Sequence, residues 1–361
     1  MPDLFLFIII FIQYMVAVID NNGKITVKDS GKTILSSPVE VLFLMEKERL
    51  EVFSADGNSL SKKNFLTIAS KFDKKFEIKF IVYKDLRERG YRIKTGVMGL
   101  RLYPRGKKPG ESESTHYIIT ISERDVLSVK YIKEQVNLAR NLRKKLIIGV
   151  VDEDGEVTYY NIKEIEFDTK PSKKNRPKKP YHADFLEENV FIWDKDAVDD
   201  LFLEEYYGKQ FLGDSLQLSL TEAAYLSEQG IIDLYKDNVK LTLDDFIDLC
   251  TRKVENFYNI FLVYRDLKEK GLTLKTGYKF GIDFRVYDNK DLSWATDRVS
   301  TTKIEHSKYL LQVFHISYAF KIPDMARSVR MANSVRKRMI FAGVDTATGN
   351  ISYINISWTK L

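Results

Sequence analysis

The sequence predicts an α+β protein of two tandem repeats, each a small helix-rich αβ subdomain followed by a mixed-sheet αβ subdomain. Three observations carry the prediction. "YKDLRERGYRIKTG", from Tyr83, returns as "YRDLKEKGLTLKTG", from Tyr264. Two more pairs of blocks repeat in the same order around that echo: Ser36–Phe53 with Leu218–Tyr235, and "RKKLIIGVVD" (Arg143 to Asp152) with "RKRMIFAGVD" (Arg336 to Asp345). Ordered self-similarity of this kind is the mark of an internal duplication. Between the halves lies "TKPSKKNRPKKP", Thr169 to Pro180, whose Lys and Pro content cannot bury enough surface to fold. The expected organisation is a first repeat over 1–168, with subdomains over about 15–75 and 78–168. A linker follows over 169–184, then a second repeat over 185–361, with subdomains over about 185–254 and 255–361.

The elements follow in order. Leu4 to Ile19 is apolar except for Gln13 and Tyr14. It lacks the basic start and small-residue cleavage site of a secretory signal and is short for a membrane span. "MVAVID" therefore reads as a buried first strand closed by the turn "NNGK", and Met15 is a possible true start. A membrane role would rest on this run alone, and no membrane partner is expected. In each half a Glu (Glu40, Glu222) stands four residues before a Leu (Leu44, Leu226) on a helix-period pattern that gives way to a short strand. The helix "FLVYRDLKEKG" should stop at Gly271. Alternating strands are expected over "LTLKTG", "YKFGIDFRVYD" and "YLLQVFHIS", then a basic helix over "MARSVRMANSVRKR", then strands "MIFAGVD" and "NISYINIS". Period-two alternation in "FRVY" and "ISYINIS" points to antiparallel pairing.

Composition narrows the functional classes. A chain of 361 residues, 44% hydrophobic and 30% charged, has core material for two ordinary domains. The balance of 57 Lys and Arg against 51 Asp and Glu favours a phosphate-rich partner over an acidic-surface role without proving it. Cys250 is the sole cysteine, so the chain has no internal disulfide and no thiolate metal site; "DFIDLC" reads as a buried helix face. The histidines are His116, His182, His306 and His315. His315 alternates along a strand, His182 lies exposed beside the linker, and no metal or other cofactor is implied.

"YRDLKEKGLTLKTGYKFGIDFRVYD", "EHSKYLL" and "ARSVRMANSVRKRMIFAGVD" together resemble the archaeal tRNA-splicing (tRNA-intron) endonucleases, in the form where two fused repeats make one subunit and two subunits make the enzyme. The resemblance is strong over the C-terminal hundred residues or so and, through the duplication, weaker over most of the chain. It implies a restriction-endonuclease-like nuclease subdomain and a catalytic triad, which falls on Tyr287 of "DFRVY", His306 of "EHSKYL" and Lys337 of "SVRKR". It also implies a metal-independent cut in precursor tRNA at each bulge-helix-bulge exon–intron junction, leaving 2′,3′-cyclic phosphate and 5′-hydroxyl ends. A homodimer and a cytoplasmic location follow from the same resemblance.

Those residue types suit that chemistry. Attack of a ribose 2′-hydroxyl on the adjacent phosphorus needs a base, an acid for the leaving 5′-oxygen and positive charge for the phosphorane. An imidazole with an ordinary pKa of about 6.5 keeps a protonated fraction near neutrality, which fits His306 as the acid. Lys337 offers a compact cation. A phenol of ordinary pKa about 10 is mostly protonated at neutral pH, so Tyr287 acts either as a base assisted by Lys337 or Arg285, or by orienting the 2′-hydroxyl.

The first half also holds a tyrosine (Tyr103), a histidine (His116) and a lysine (Lys144), so residue types alone do not say which copy cuts. The second half matches the family motifs more fully, and Glu111 and Glu113 would repel a phosphate in the first. The first copy is therefore expected to be structural. Its loop Asp152, Glu153, Asp154, Glu156 is acidic where the second copy is not. The resemblance implies that such a loop docks into a basic pocket of the partner subunit; otherwise it is a plain turn with Gly155 at positive φ.

RNA contacts are expected from Arg285 and from Arg327, Arg330 and Arg336 on the basic helix. The family pinches a bulged base between two arginines; Arg330 matches one, and near the C-terminus this chain offers Trp358, whose ring can stack on the base. "DNKDLSWATDRVSTTKIE", between Tyr287 and His306, reads as an inserted loop in which Trp294 and Arg298 can touch RNA. Two other readings compete: a non-catalytic RNA-binding or scaffolding protein of the same fold, and a metal-dependent DNA nuclease, for which only Asp283 and Asp288 are at hand near Tyr287.

Overall fold

A computed structural model of the protein describes residues 15–20, 23–29, 32–96, 99–107, 109–167, 177–287 and 307–361. The contacts divide the chain into two units. One holds the residues up to Asp125, Ala139–Asn161 and Thr359–Leu361; the other holds Val126–Leu138 and Ile162–Trp358.

In the first unit, strands Lys32–Leu35, Ile25–Asp29, Met15–Ile19 and Leu50–Ser54 lie side by side in that order. The apolar "MVAVI" is thus a strand, with Ala17 and Ile19 buried. Helices Pro38–Glu46, Lys62–Phe72 and Phe76–Glu88 pack against one another and share a core of Val41, Phe65, Val82, Tyr83 and Leu86. Strands Ile93–Gly96, Gly99–Leu102, His116–Ser122, Lys145–Val151 and Val157–Glu164 then line up in sequence order. His116–Ser122 and Lys145–Val151 run parallel.

The second unit repeats the plan. A sheet is ordered Lys209–Phe211, Ser215–Leu218, Asn189–Ile192, Tyr181–Leu186, Ile232–Lys236, Val239–Lys240; helix Leu220–Glu228 packs on it, and helices Leu243–Lys253 and Phe257–Glu269 pack on that helix and on each other. Its strand Tyr181–Leu186 begins inside the stretch read as a linker; residues 169–176 of that stretch lie outside the described residues. Strands Thr273–Thr276, Phe284–Tyr287, Tyr309–His315, Arg338–Asp345 and Asn350–Trp358 follow in order. Tyr309–His315 and Arg338–Asp345 are parallel and are joined through the helix Ile322–Ser334; the other pairs are antiparallel, as the alternation in "FRVY" and "ISYINIS" predicts. Cys250 is fully buried on its helix.

The structure explains the echo. Tyr83 and Leu86, like Tyr264 and Leu267, face the core of their units. Asp85 accepts a hydrogen bond from the Tyr159 hydroxyl at 2.6 Å and pairs with Arg89 at 2.8 Å. Asp266 accepts from the Tyr353 hydroxyl at 2.5 Å and pairs with Lys270 at 2.5 Å. Each copy of "Y-(K/R)-D-L-(R/K)-E-(R/K)-G" therefore ties its helix to the closing strand of its own unit. The glycine that ends it, Gly90 or Gly271, takes the left-handed turn at φ 86° or 79°.

Two expectations need correction. "YKFGIDFRVYD" is not one strand: Tyr278–Phe280 forms a 3-10 turn, Gly281 turns at φ 63°, and only Phe284–Tyr287 is extended. At Gly277 a Cβ would lie 2.6 Å from the Ile282 carbonyl oxygen, so the chain can fold back there only without a side chain. The basic helix is shorter than its sequence suggests. It ends at Ser334, because Arg336 adopts φ 55° and the N–H groups of Arg336 and Lys337 close the last turn on the carbonyls of Asn333 and Ala332. The helix Val129–Asn141 ends the same way at Arg143, φ 54°. No helix among the described residues is long and apolar enough to cross a membrane.

Candidate active site

Lys337 stands at the start of a strand, not on the helix. Its neighbours follow from the register. Val286 pairs with Tyr309, and Tyr309 with Arg338. One residue outward, Lys308 donates its N–H to Val286 at 3.1 Å and accepts from the Arg338 N–H at 3.1 Å. Tyr287, Lys308 and Lys337 therefore sit side by side across three neighbouring chain segments. On the next strand Met339 pairs with Ile356, and two residues outward the same register sets Lys337 opposite Trp358. Tyr287 and Lys337 are thus two strand spacings apart, about 10 Å between backbones. That distance lets two side chains meet one phosphate from either side.

Directly paired residues point to one face of a sheet. Phe284, Val286 and Leu311 belong to the core that also holds residues of the helix Phe257–Glu269. Arg285, Tyr287, Lys308, Lys337 and Trp358 consequently share the opposite face, on which the helix Ile322–Ser334 packs through Met325, Val329 and Ala332.

Lys337 donates from Nζ to the Ser307 carbonyl oxygen at 2.6 Å. Burial, with the Arg285 guanidinium adding repulsion, holds its ammonium below the ordinary lysine range. Ser307 is itself buried. Tyr287 is 6% exposed. Arg285 is steered by a hydrogen bond from Nε to the Thr276 carbonyl at 2.9 Å. His306, Trp294, Arg298 and Asp288 lie outside the described residues.

The remaining sequence candidates scatter more widely than the helix "ARSVRMANSVRKR" suggests. Arg327 and Arg330 are exposed on the helix, Arg327 paired with Asp324 at 3.3 Å. Arg336 is in the turn and Arg338 on the strand, whose side chain the alternation turns to the other face from Lys337. Trp358 is 52% exposed. Asp283, the other acidic candidate, turns its carboxylate to the backbone: it accepts the Val313 N–H at 2.7 Å, and burial raises its pKa. No group of three or more His, Cys, Asp or Glu stands ready for a metal among the described residues.

The first unit offers the sharpest comparison. Thr115 donates to the Leu102 carbonyl and accepts from the Lys145 N–H, the same bonds that Lys308 makes. Tyr103, Thr115 and Lys144 therefore match Tyr287, Lys308 and Lys337, and Arg101 matches Arg285. Buried Ser114 matches buried Ser307. The residue preceding Ser307 is His306; the residue preceding Ser114 is Glu113. His116, which the sequence offered as the counterpart, is one position past the row, where burial and Lys145 hold its pKa down. Glu113 meets Lys144 at 2.6 Å, which holds its carboxyl below the ordinary range.

The acidic loop is a tight turn. Asp152 caps it, accepting the N–H groups of Asp154 and Glu156 on its side chain, and Gly155 sits at φ 81°. Glu153 pairs with Arg124 at 3.2 Å; Asp154 and Glu156 are exposed. Sequence reasoning missed Ser307 and Lys308, and read Glu113 only as a carboxylate that would repel phosphate, not as the counterpart of His306. The buried serine common to "EHSKY" and "ESTHY" is the signal that finds them.

The family model for the tRNA intron endonuclease catalytic C-terminal domain matches twice, at residues 76–159 and 257–353, and that for the N-terminal domain matches at 181–247. The chain belongs to the tRNA intron endonuclease family. It is 36% identical over 330 residues to a tRNA-splicing endonuclease of Methanococcoides burtonii, covering 90% of this chain and 89% of the relative. It is 37% identical to one of Methanosarcina mazei, with 92% and 91% covered, and 29% identical to one of Haloferax volcanii, with 91% and 90% covered. Both catalytic-domain matches take in the echo, and the second takes in Tyr287, His306 and Lys337.

Proposed function

We propose that the protein is a cytoplasmic endonuclease that cuts precursor tRNA at bulge-helix-bulge exon–intron junctions without a metal ion, at one centre in the second repeat. The relatives' names supply the substrate class. The single observation carrying the site is the row in which Tyr287 and a partly buried Lys337 flank Lys308 on one sheet face.

In this reading the ribose 2′-oxygen attacks the adjacent phosphorus and the bond to the 5′-oxygen breaks. The 2′-hydroxyl proton passes to the base side, where Tyr287 takes it or orients the hydroxyl, and His306 returns a proton to the departing 5′-oxygen. The products are a 2′,3′-cyclic phosphate and a 5′-hydroxyl, with one proton moved and none lost. Lys337 supports the extra negative charge of the phosphorane, favoured because burial strengthens its field. One of its three donors is held by Ser307, which leaves the others for phosphate oxygens. Arg285, Arg327, Arg330 and Arg336 would hold flanking phosphates, and Trp358, in register with Lys337, would stack on the bulged base.

The first repeat, over 1–168, is in this reading the non-cutting half, joined by the segment 169–184 to the cutting half, 185–361. A glutamate in place of the histidine gives it no acid of suitable pKa. Its loop of Asp152, Glu153, Asp154 and Glu156 would dock on a basic surface of a second copy, so that a homodimer sets the distance between two cuts. The test is incubation of the full chain with an intron-containing precursor tRNA in excess chelator, followed by analysis of the ends. Cleavage at both junctions with cyclic phosphate and 5′-hydroxyl ends is expected. Intact RNA, or 5′-phosphate ends, would overturn the proposal.

A further inference from the structure

The first unit keeps every cation and hydroxyl of the row except the Lys308 ammonium, yet its lysine is already occupied. The Lys144 side chain is only 13% exposed, while its partner Glu113 is 90% exposed. The ammonium is therefore fixed in the protein and the carboxylate comes to it from the solvent side, the direction from which an outside anion would arrive. Glu113 Oε2 sits 2.6 Å from Lys144 Nζ, a distance a phosphate oxygen would also take. Arg143 adds a second positive charge near the same carboxylate. Arg101, two residues before Tyr103 on the same face, has a buried Nε that meets no hydrogen-bond partner among the described residues. Lys337 in the second unit has the opposite arrangement: a backbone carbonyl for a partner and Arg285 repelling it.

We propose that the first repeat contains an anion site for phosphate oxygens, built from Lys144 with Arg101, Arg143 and Tyr103 around it, and that Glu113 closes this site as a built-in substitute for the phosphate. The inference rests on the reading that Lys337 meets the scissile phosphate, and extends it to the matching place in the other half. In the native chain the carboxylate keeps RNA phosphodiesters off the first repeat, so the backbone is taken up at the second.

Glu113→Gln keeps the shape and removes the charge at an exposed position, so the fold should tolerate it. The measurement is the rate at which an amine-acylating reagent modifies Lys144 in the full chain, read by mass spectrometry with the adjacent exposed Lys145 as internal standard. Inorganic phosphate is titrated against sodium chloride of equal ionic strength. In Glu113→Gln, phosphate at ten times its half-effect concentration should slow Lys144 modification about tenfold and leave Lys145 unchanged. In the wild type neither rate should move. Equal protection of both lysines, protection of Lys144 in the wild type as well, or no protection in Glu113→Gln would overturn the proposal. Labelling makes no use of RNA cleavage, so a failure here is separable from a failure of the splicing activity.

Discussion

Lys337→Met keeps the aliphatic stem of the side chain and deletes its charge. One of the three ammonium donors is held by the Ser307 carbonyl at 2.6 Å, which leaves two for the phosphorane. Charge-assisted hydrogen bonds contribute about 1.5–3 kcal/mol each, and removing a preorganised donor to transition-state charge costs about 3–4 kcal/mol, a factor of about 10²–10³ in kcat. Stability should respond in the other sense. Burial and Arg285 depress the Lys337 pKa, so the folded state holds that proton less tightly than the unfolded chain does. The charged form therefore costs the fold something at neutral pH, and its removal offsets the lost Ser307 bond, worth about 1 kcal/mol. Single-turnover cleavage of a bulge-helix-bulge RNA, alongside urea denaturation, reads both quantities. The expected variant is two to three decades slower with stability within about 1 kcal/mol of the parent. Cleavage within about fivefold of the parent, under 1 kcal/mol of barrier, would refute the reasoning.

Arg285→Gln removes the repulsion on Lys337, so the alkaline limb of the cleavage pH profile should move to higher pH; a downward move would contradict the assigned cause. In the second unit, burial pushes the Glu222 carboxyl up, but Lys275 at 3.2 Å and bonds from Gly208 and Ser219 hold it below the ordinary range. Lys275→Met should then cost about 3 kcal/mol in urea denaturation at neutral pH. That stabilisation is present above the unfolded carboxyl pKa of about 4.3 and fades as pH falls through the lower folded value, so the gap between parent and variant should narrow in acid. Burial pushes the Cys250 thiol up to about 12, so iodoacetamide at pH 8 should leave the native chain unmodified by intact mass and label it once in denaturant.

Much of this was legible in the residues, and the failures have physical causes. Alternation in "FRVY" and "ISYINIS" fixed two strands that frame the row. "SVRKR" misled because its two Arg and Lys are good helix formers, and the left-handed residue that ends a helix is most often glycine. Here arginine takes the left-handed position at both Arg143 and Arg336, at a cost of about 1–2 kcal/mol that no composition rule reveals. The effect is to lift Lys144 and Lys337 off their helices and onto the sheet edge. His116 misled because a histidine close to a tyrosine and a lysine invites comparison with His306. Strand register moves the true counterpart three residues back, to Glu113, and only pairing partners show that. The insertion 193–214, with its π-helical turn Val198–Glu204 and strand Lys209–Phe211, has no counterpart in the first unit among the described residues, so the duplication could not announce it.

The account stands on an internal nucleophile, the 2′-hydroxyl, meeting Tyr287, His306 and Lys337 around one phosphate. The most direct measurement replaces the ribose 5′ to each scissile phosphate by 2′-deoxyribose in an otherwise native bulge-helix-bulge RNA and follows cleavage by the wild-type chain in chelator. Binding should persist while cutting at the modified junctions falls below detection. Cutting at an undiminished rate would mean that the attacking oxygen comes from elsewhere, and the assignment of the row would not survive it.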